Sequence, residues 1–158
     1  MKKPIRNEIK NRRHTLSQDK EFIYKEEECI YFKEGIIGFE EQKKYIPLPI
    51  QEESDAILCL QCVDDLSLSF VIMNPFFLDE TYSPQISKKD MDAIGAKEES
   101  VISYYVICVV KDIPANSTVN LKCPIIVNSL TREAKQVILE EGEYRFRHPL
   151  SEFSRKEK

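Results

Sequence analysis

From residue 21 onward, hydrophobic and polar residues alternate with a period of two, or form short apolar runs rich in β-branched and aromatic side chains. Both patterns are typical of β-strands, because a strand places successive side chains on opposite faces. The predicted strands cover residues 22–25, 29–32, 44–48, 56–63, 67–73, 101–111, 119–122, 125–128, 136–139 and 144–147.

Helical patterns are short. Ser87, followed three residues later by Asp90, resembles a capping box and predicts a helix over residues 88–94 that Gly95 ends. Residues 39–43 are predicted to form one further turn. We therefore expect a mostly β fold, a small antiparallel barrel-like or closed sandwich domain with one or two short helices. An open sheet would leave its apolar face in water.

Glycine and proline mark two loops. Gly35 and Gly38 are two of only four glycines in the chain, and their spacing predicts a tight loop with positive φ or close backbone approach. Asn74-Pro75-Phe76-Phe77 follows a strongly apolar strand. Because Pro75 has no N–H for a strand ladder, we predict that the strand ends there.

Charge is distributed unevenly. Residues 1–20 contain seven basic and two acidic residues, whereas the rest has 16 basic and 25 acidic residues, a formal charge of −9. An acidic body repels nucleic-acid phosphates and attracts basic proteins. We predict a basic, mobile N-terminal extension over residues 1–20, a β domain over 21–151 and a frayed tail over 152–158.

The apolar segments are too short for a membrane protein. The longest, residues 101–110, is interrupted by Ser103, whereas a spanning helix needs about 20 apolar residues. Residues 1–20 also lack the apolar region of a signal peptide. These features predict a cytoplasmic protein that does not bind membranes. Its five cysteines are expected to be free and buried: Cys29, Cys59, Cys62, Cys108 and Cys123.

The sequence offers little catalytic chemistry. Cys59 and Cys62 lie on a predicted strand, where residues three apart are about 10 Å apart and face opposite ways, which suits neither a disulfide nor a shared metal. We therefore predict no enzyme activity, no cofactor and no metal site. Three alternatives stay open: a hydrolase using a cysteine with His148, a single-stranded RNA binder, and an acidic β-barrel that binds proteins.

Four segments occur in a characteristic order along residues 21–150: Phe32-x-x-Gly35-Ile36-x-Gly38-Phe39-Glu40; residues 70–76 (FVIMNPF); residues 117–128 (STVNLKCPIIVN); and residues 135–139 (KQVIL) with 147–150 (RHPL). Together they resemble the signatures of the FliW family of flagellar assembly factors. The resemblance implies a cytoplasmic, β-rich, non-enzymatic protein that binds the translational regulator CsrA and also flagellin. CsrA represses flagellin translation on the messenger RNA, and sequestration of CsrA relieves that repression. No direct contact with nucleic acid is expected.

We expect the binding residues on loop tips, where irregular backbone, aromatic rings and acids occur together. The predicted partner-binding residues come from the loops at 35–40 and 74–80: Phe39, Glu40, Asn74, Phe76, Phe77, Asp79 and Glu80. Phe39 and Phe77 are the expected apolar anchors. Asn74, Asn120 and Asn128 are also expected to cap turns. Strand 101–111, if it lies at a sheet edge, could accept an extended segment of flagellin.

Overall fold

The computed structural model describes residues 11–16, 20–51 and 54–157, and the side chains of residues 23–50 and 56–153. Its strands are β1 Asn11–Leu16, β2 Lys20–Lys25, β3 Ile30–Phe32, β4 Lys44–Gln51, β5 Ser54–Cys62, β6 Ser69–Met73, β7 Ile102–Val109, β8 Thr118–Val119, β9 Ile125–Asn128, β10 Glu133–Gln136 and β11 His148–Pro149. The α-helices are α1 Pro75–Leu78 and α2 Lys88–Ala93, and 3-10 turns cover Glu26–Glu28, Glu99–Val101, Pro114–Asn116 and Leu150–Glu157.

Seven of the described strands form a closed barrel, in the order β7-β6-β5-β4-β3-β10-β9 and back to β7. Neighbouring strands are antiparallel except β3 and β10, which are parallel. The first half of β7 pairs with β9, and its last two residues pair with β8, which in turn pairs with β11. The predicted fold class is confirmed. Closure removes most free edges, which an open sheet would expose.

Alternation along each strand divides the apolar side chains between the inside and the outside of the barrel. The interior cluster is contributed mainly by the ring strands: Ile30, Phe32, Ile36, Tyr45, Leu60, Cys62, Ile72, Ile125, Val127 and Ala134. A second cluster lies outside the wall formed by β6, β7 and β9, under α1, α2 and the segment from Tyr144 to Phe153. A third, smaller cluster packs Tyr24 and Cys29 on Ile46 and Val63.

Local predictions and the structure agree at several elements. The strand before Pro75 ends at Met73. The Ser87 hydroxyl accepts a hydrogen bond from the N–H of Asp90 at 3.1 Å and begins α2, and Gly95 follows that helix with φ +68°. Residues 75–78, predicted as a loop, form the short helix α1.

The last predicted strands are displaced. The predicted strand 136–139 corresponds to β10, which begins at Glu133, although backbone bonds to the neighbouring chain continue as far as Leu139. The predicted strand 144–147 is wrong, since the pairing residues are His148 and Pro149. Strand 101–111 is not at an edge, because β7 has β6 on one side and β8 and β9 on the other. Its proposed pairing with flagellin is therefore wrong.

The two ends of the chain contain more regular structure than predicted. Within the segment expected to be mobile, residues 11–16 form β1, which pairs with β2 from Asn11↔Lys25 to Leu16↔Lys20. Such a hairpin is held by backbone bonds and does not need apolar periodicity. Residues 1–10 and 17–19 lie outside the described residues. A 3-10 turn occupies much of the expected tail, and the domain limits at 21 and 151 stay predictions.

Candidate partner-binding site

The loop between β3 and β4 folds back tightly on itself. Gly35 has φ +74° and Gly38 has φ +91°, values that disfavour a residue with a side chain. A Cβ atom on Gly35 would lie 2.5 Å from the Cα of Glu40, so the backbone approach also requires glycine. The Phe39 N–H donates to the Ile36 carbonyl at 2.7 Å. These features confirm the predicted loop and fix where it presents Phe39 and Glu40.

Phe39 and Glu40 occupy defined positions at the tip of this loop. The Phe39 ring is 43% exposed and packs edge-on against Phe70, with 5.3 Å between ring centroids. The Glu40 carboxylate accepts a hydrogen bond from the Gly38 N–H at 2.9 Å. That bond is the main reason why the pKa of Glu40 lies below its usual value. The site therefore holds a charged carboxylate beside a half-exposed aromatic ring.

A shallow depression of about 480 Å³ lies beside this tip, and we call it the acidic depression. Residues 38–42 form one side, and Asp65, Ser67 and Leu68 from the β5–β6 turn form the other. The Asp65 carboxylate accepts bonds from the Ser67 N–H at 3.1 Å and the Ser67 hydroxyl at 2.6 Å. Sequence reasoning found Phe39 and Glu40 but missed Glu41 and Asp65, because only the folded chain brings the two turns together.

The other side of the same loop borders an apolar groove of about 310 Å³. It is lined by Ile36, Ile37, Phe70, Ile107, Val109, Thr118, Asn120, Cys123, Gln136, Ile138, Phe146 and Arg147. Ile36, Phe70 and Ile107 also belong to or pack against the interior cluster, so the groove is the open mouth of the barrel. Large apolar side chains are exposed along it, notably Ile138 and Phe146. Exposed apolar clusters of this kind mark interaction sites.

The second predicted loop forms α1 and the turn after it. Phe76 packs against the rings of Tyr82 and Tyr104, at centroid distances of 5.8 and 5.6 Å, and is only partly available to a partner. Phe77 points outward and is 67% exposed. Asp79 accepts bonds from the N–H and the hydroxyl of Thr81 at 2.9 and 2.6 Å, while Glu80 is exposed.

The three asparagines hold loop geometry as predicted. Asn74 Oδ1 accepts a hydrogen bond from the Phe76 N–H at 2.9 Å and caps α1. Asn120 Oδ1 accepts from the N–H groups of Lys122 and Cys123 at 3.1 and 3.0 Å. Asn128 Oδ1 accepts from the N–H groups of Leu130 and Thr131, at 2.9 and 3.3 Å. Their side chains are therefore occupied within the chain.

The structure does not bring the two predicted loops together. Phe70, which supports Phe39, lies near the start of β6, and Asn74 follows the end of that strand. Five extended residues span roughly 16 Å, so the loops lie toward opposite ends of the barrel. The acidic depression and the apolar groove, by contrast, share the 35–42 loop.

The thiols and His148 have no arrangement for catalysis within the described chain. Burial raises the pKa of the Cys29 thiol to about 11 and also raises those of Cys62, Cys108 and Cys123, which disfavours the reactive thiolate. His148 Nε2 accepts from the Arg145 N–H at 2.8 Å, and its Nδ1 lies 3.1 Å from Glu152 Oε2. No cluster of three metal-ligating side chains occurs among the residues searched.

The described helices include none that is long and apolar enough to span a membrane. Against this fold, the sequence profile of the FliW protein family matches residues 15–150. The chain belongs to the FliW family. The resemblance of its four motifs is thereby confirmed, and the match covers both the loop at 35–40 and the loop at 74–80.

Individual FliW proteins agree with this assignment. The flagellar assembly factor FliW of Ruminiclostridium cellulolyticum is 36% identical over 128 residues, which cover 81% of this chain and 86% of that protein. The FliW of Lachnospira eligens is 36% identical over 136 residues, 84% of this chain and 89% of the relative. A crystal structure of the flagellar assembly factor FliW superposes with a TM-score of 0.78 at 29% identity, covering 87% of this chain and 96% of the other.

Proposed function

We propose that this FliW-family protein acts in the cytoplasm without enzymatic activity. It binds a CsrA-type translational regulator and relieves repression of flagellin mRNA, and it also binds flagellin as a chaperone-like partner. Membership of a family of flagellar assembly factors supports the flagellar role. The acidic body supports a basic partner, because complementary potentials speed encounter and disfavour RNA itself.

The observation that carries this proposal is the acidic depression. Glu40, Glu41 and Asp65 lie around the exposed ring of Phe39, so an apolar anchor is surrounded by negative charge. A basic protein that places an arginine or lysine here gains charge-assisted hydrogen bonds to the carboxylates and contact with the aromatic face. CsrA, as an RNA-binding regulator, is expected to present such groups.

The loop is also organised before a partner arrives. Glu40 is bonded to the Gly38 N–H, and the Ile37 N–H donates to the Gln136 side chain at 3.0 Å. Phe39 rests on Phe70 rather than extending freely into water. Binding therefore orders few additional groups, which preserves more of the interaction energy as affinity.

The proposed regulation follows from mass action on one shared protein. Flagellin and CsrA draw on the same pool of the FliW-family protein, so accumulated flagellin leaves more CsrA free to repress translation. When flagellin is secreted, the released protein is available to sequester CsrA. This coupling requires both partners to bind the same chain with comparable effective affinities.

Calorimetric titration against CsrA and flagellin from the same organism, at low and high salt, tests the proposal. We expect CsrA binding that weakens with salt, and flagellin binding measured separately. The double variant Glu40→Gln/Glu41→Gln should weaken CsrA binding by about 1–2 kcal/mol at low salt. The matched variant Glu98→Gln/Glu99→Gln removes the same charge near the start of β7, away from the depression. Equal effects of both variants would contradict a site in the depression, and no CsrA binding would overturn the CsrA role.

A further inference from the structure

The antiparallel ladder between β9 and β10 continues beyond the end of β10. The Val137 N–H donates to the Pro124 carbonyl at 2.9 Å, and the Leu139 N–H donates to the Lys122 carbonyl at 2.8 Å. This continues the register in which Gln136 faces Ile125. In such a ladder, alternate residues direct their N–H and C=O groups to opposite sides. The backbone groups of Ile138 therefore point away from the 122–124 segment.

The side to which Ile138 points has no neighbouring strand. β3 accompanies β10 only as far as the pair Phe32↔Ala134, after which the chain turns away through Gly35. Within the described chain, the backbone N–H and C=O of Ile138 form no hydrogen bond. Its side chain is also 55% exposed. Residues 136–140 thus form a short open edge in an otherwise closed barrel.

Two cavities flank this edge. The apolar groove, with Ile37 and Phe146 in its lining, reaches Ile138 from one side. A second cavity of about 360 Å³, the acidic cleft, is lined by Gln85, Ile86, Ser87, Asp90 and residues 137–141. Glu140 and Glu141 are exposed in this cleft, and Asp90 is paired with the Lys135 ammonium at 2.7 Å.

We propose that residues 136–140 accept an extended segment of a partner protein as an added strand. The assignment rests on the proposed function, under which that segment belongs to flagellin. In strand addition, backbone bonds supply affinity while pockets for alternate side chains supply specificity. The backbone of Ile138 offers one donor and one acceptor to the incoming segment.

The two cavities define the chemistry of that segment. Side chains beside Ile138 lie on the groove side and should be apolar, where they cover Ile37 and Phe146. Side chains at the intervening positions face the acidic cleft and should be basic, near Glu140 and Glu141. The expected segment therefore alternates apolar residues with at least one lysine or arginine. This edge differs from the acidic depression assigned to CsrA, although both border the 35–42 loop.

Amide hydrogen exchange measured by NMR tests the edge in the unaltered protein. In the free protein, the Ile138 amide should exchange faster than the amides of Val137 and Leu139, which donate to carbonyls. Saturation with flagellin should slow exchange at Ile138 by about tenfold or more, as expected for a new backbone bond. Unchanged exchange at Ile138 with flagellin bound would overturn the assignment.

Ile138→Pro and Ile138→Ala form a matched pair for the same test. Proline removes the free N–H and obstructs the edge, yet it breaks no bond of the existing ladder and is tolerated at edge positions. We expect it to reduce flagellin affinity by about tenfold or more, and alanine, which keeps the N–H, to reduce it less. CsrA affinity and the melting temperature should change little in both variants. A folded proline variant with unchanged flagellin affinity would overturn the assignment.

The outcomes separate this assignment from the proposed function. If the unaltered protein does not bind flagellin, the flagellin part of the proposed function is wrong, and the edge assignment is wrong with it. If flagellin binds but neither exchange at Ile138 nor the proline variant has an effect, only the edge assignment is overturned. If the proline variant does not fold, the exchange measurement on the unaltered protein decides.

Discussion

Tyr45 has a buried hydroxyl group without a partner, and its removal is predicted to stabilise the protein. The side chain is fully buried in the barrel interior and packs edge-on against Phe32, with centroids 5.3 Å apart. Among the described residues, its hydroxyl is the one buried side-chain polar atom that forms no hydrogen bond. Desolvation, with smaller effects of Cys62 and Asp65, raises its pKa. Tyr45→Phe removes this hydroxyl and keeps the ring.

The size of the effect follows from the cost of burying an unpaired polar group. That cost is about 1–3 kcal/mol for a hydroxyl in a protein interior. The variant recovers this cost but leaves a void of about one oxygen atom, which returns part of the gain. We therefore expect Tyr45→Phe to raise the free energy of unfolding by about 1 kcal/mol.

Tyr82→Phe is the matched control, with the opposite sign. Tyr82 is also buried, but its hydroxyl donates to the Leu121 carbonyl at 2.7 Å. Removing that donor loses a hydrogen bond and leaves a buried carbonyl with one partner fewer, which should cost about 1–2 kcal/mol. The two variants make the same chemical change in equally buried rings, so the difference between them reports the hydrogen bond.

Urea unfolding followed by circular dichroism gives both free energies, and thermal melts provide a second measurement. For a domain of this length, 1 kcal/mol corresponds to a shift of about 2–4 °C in melting temperature. Tyr45→Phe should melt above the unaltered protein and Tyr82→Phe below it. If Tyr45→Phe destabilises as much as Tyr82→Phe does, the Tyr45 hydroxyl has a partner in solution and the reasoning is refuted.

Three further perturbations test the site and its support. Phe77→Ala should weaken partner binding by about 1–3 kcal/mol in calorimetry while the melting temperature stays nearly unchanged, since the ring is 67% exposed; loss of folding would assign Phe77 to the core. Gly35→Ala should lower the free energy of urea unfolding by more than about 1 kcal/mol, because φ is +74° and the new Cβ meets backbone at 2.5 Å; a neutral result would contradict the described loop. Burial raises the pKa of Glu152, but hydrogen bonds from His148 and Arg145 outweigh it and hold that pKa below its usual value. Glu152 therefore stabilises the fold above about pH 4.5, and this contribution is lost as the pH falls through its folded pKa. The stability difference from Glu152→Gln, at most about 1 kcal/mol at pH 6, should shrink by pH 3 in urea titrations; a difference that stays constant would exclude this carboxylate as the cause.

Features that depend on a few consecutive residues were predictable from the sequence. The Ser87 cap, the glycine loop at 35–40 and the end of β6 at Pro75 each follow from local hydrogen bonding or allowed backbone angles. The one-in, one-out placement of Phe76 and Phe77 was also expected, although a helical turn rather than an extended chain produces it. The family motifs are local in the same sense, and the profile match confirms them.

Features that depend on distant pairing required the tertiary structure. Periodicity predicts that a segment is a strand but does not give its neighbours, so the interior position of β7 and the parallel pair of β3 and β10 were not foreseen. The hairpin at residues 11–25 was missed because backbone pairing can form without an apolar pattern. For β10, the sequence located the segment but not its first paired residue.

The candidate site divides in the same way. The sequence by itself identified Phe39 and Glu40, because the two glycines mark the loop that carries them. Only the folded chain decided that Asp65 lies beside them, since the β3–β4 and β5–β6 connections meet at one end of the barrel. The open edge at Ile138 likewise exists because β3 turns away after two paired residues while the ladder with residues 122–124 continues. Local chemistry fixed the loops, and chain closure over long sequence separations determined which surfaces they form.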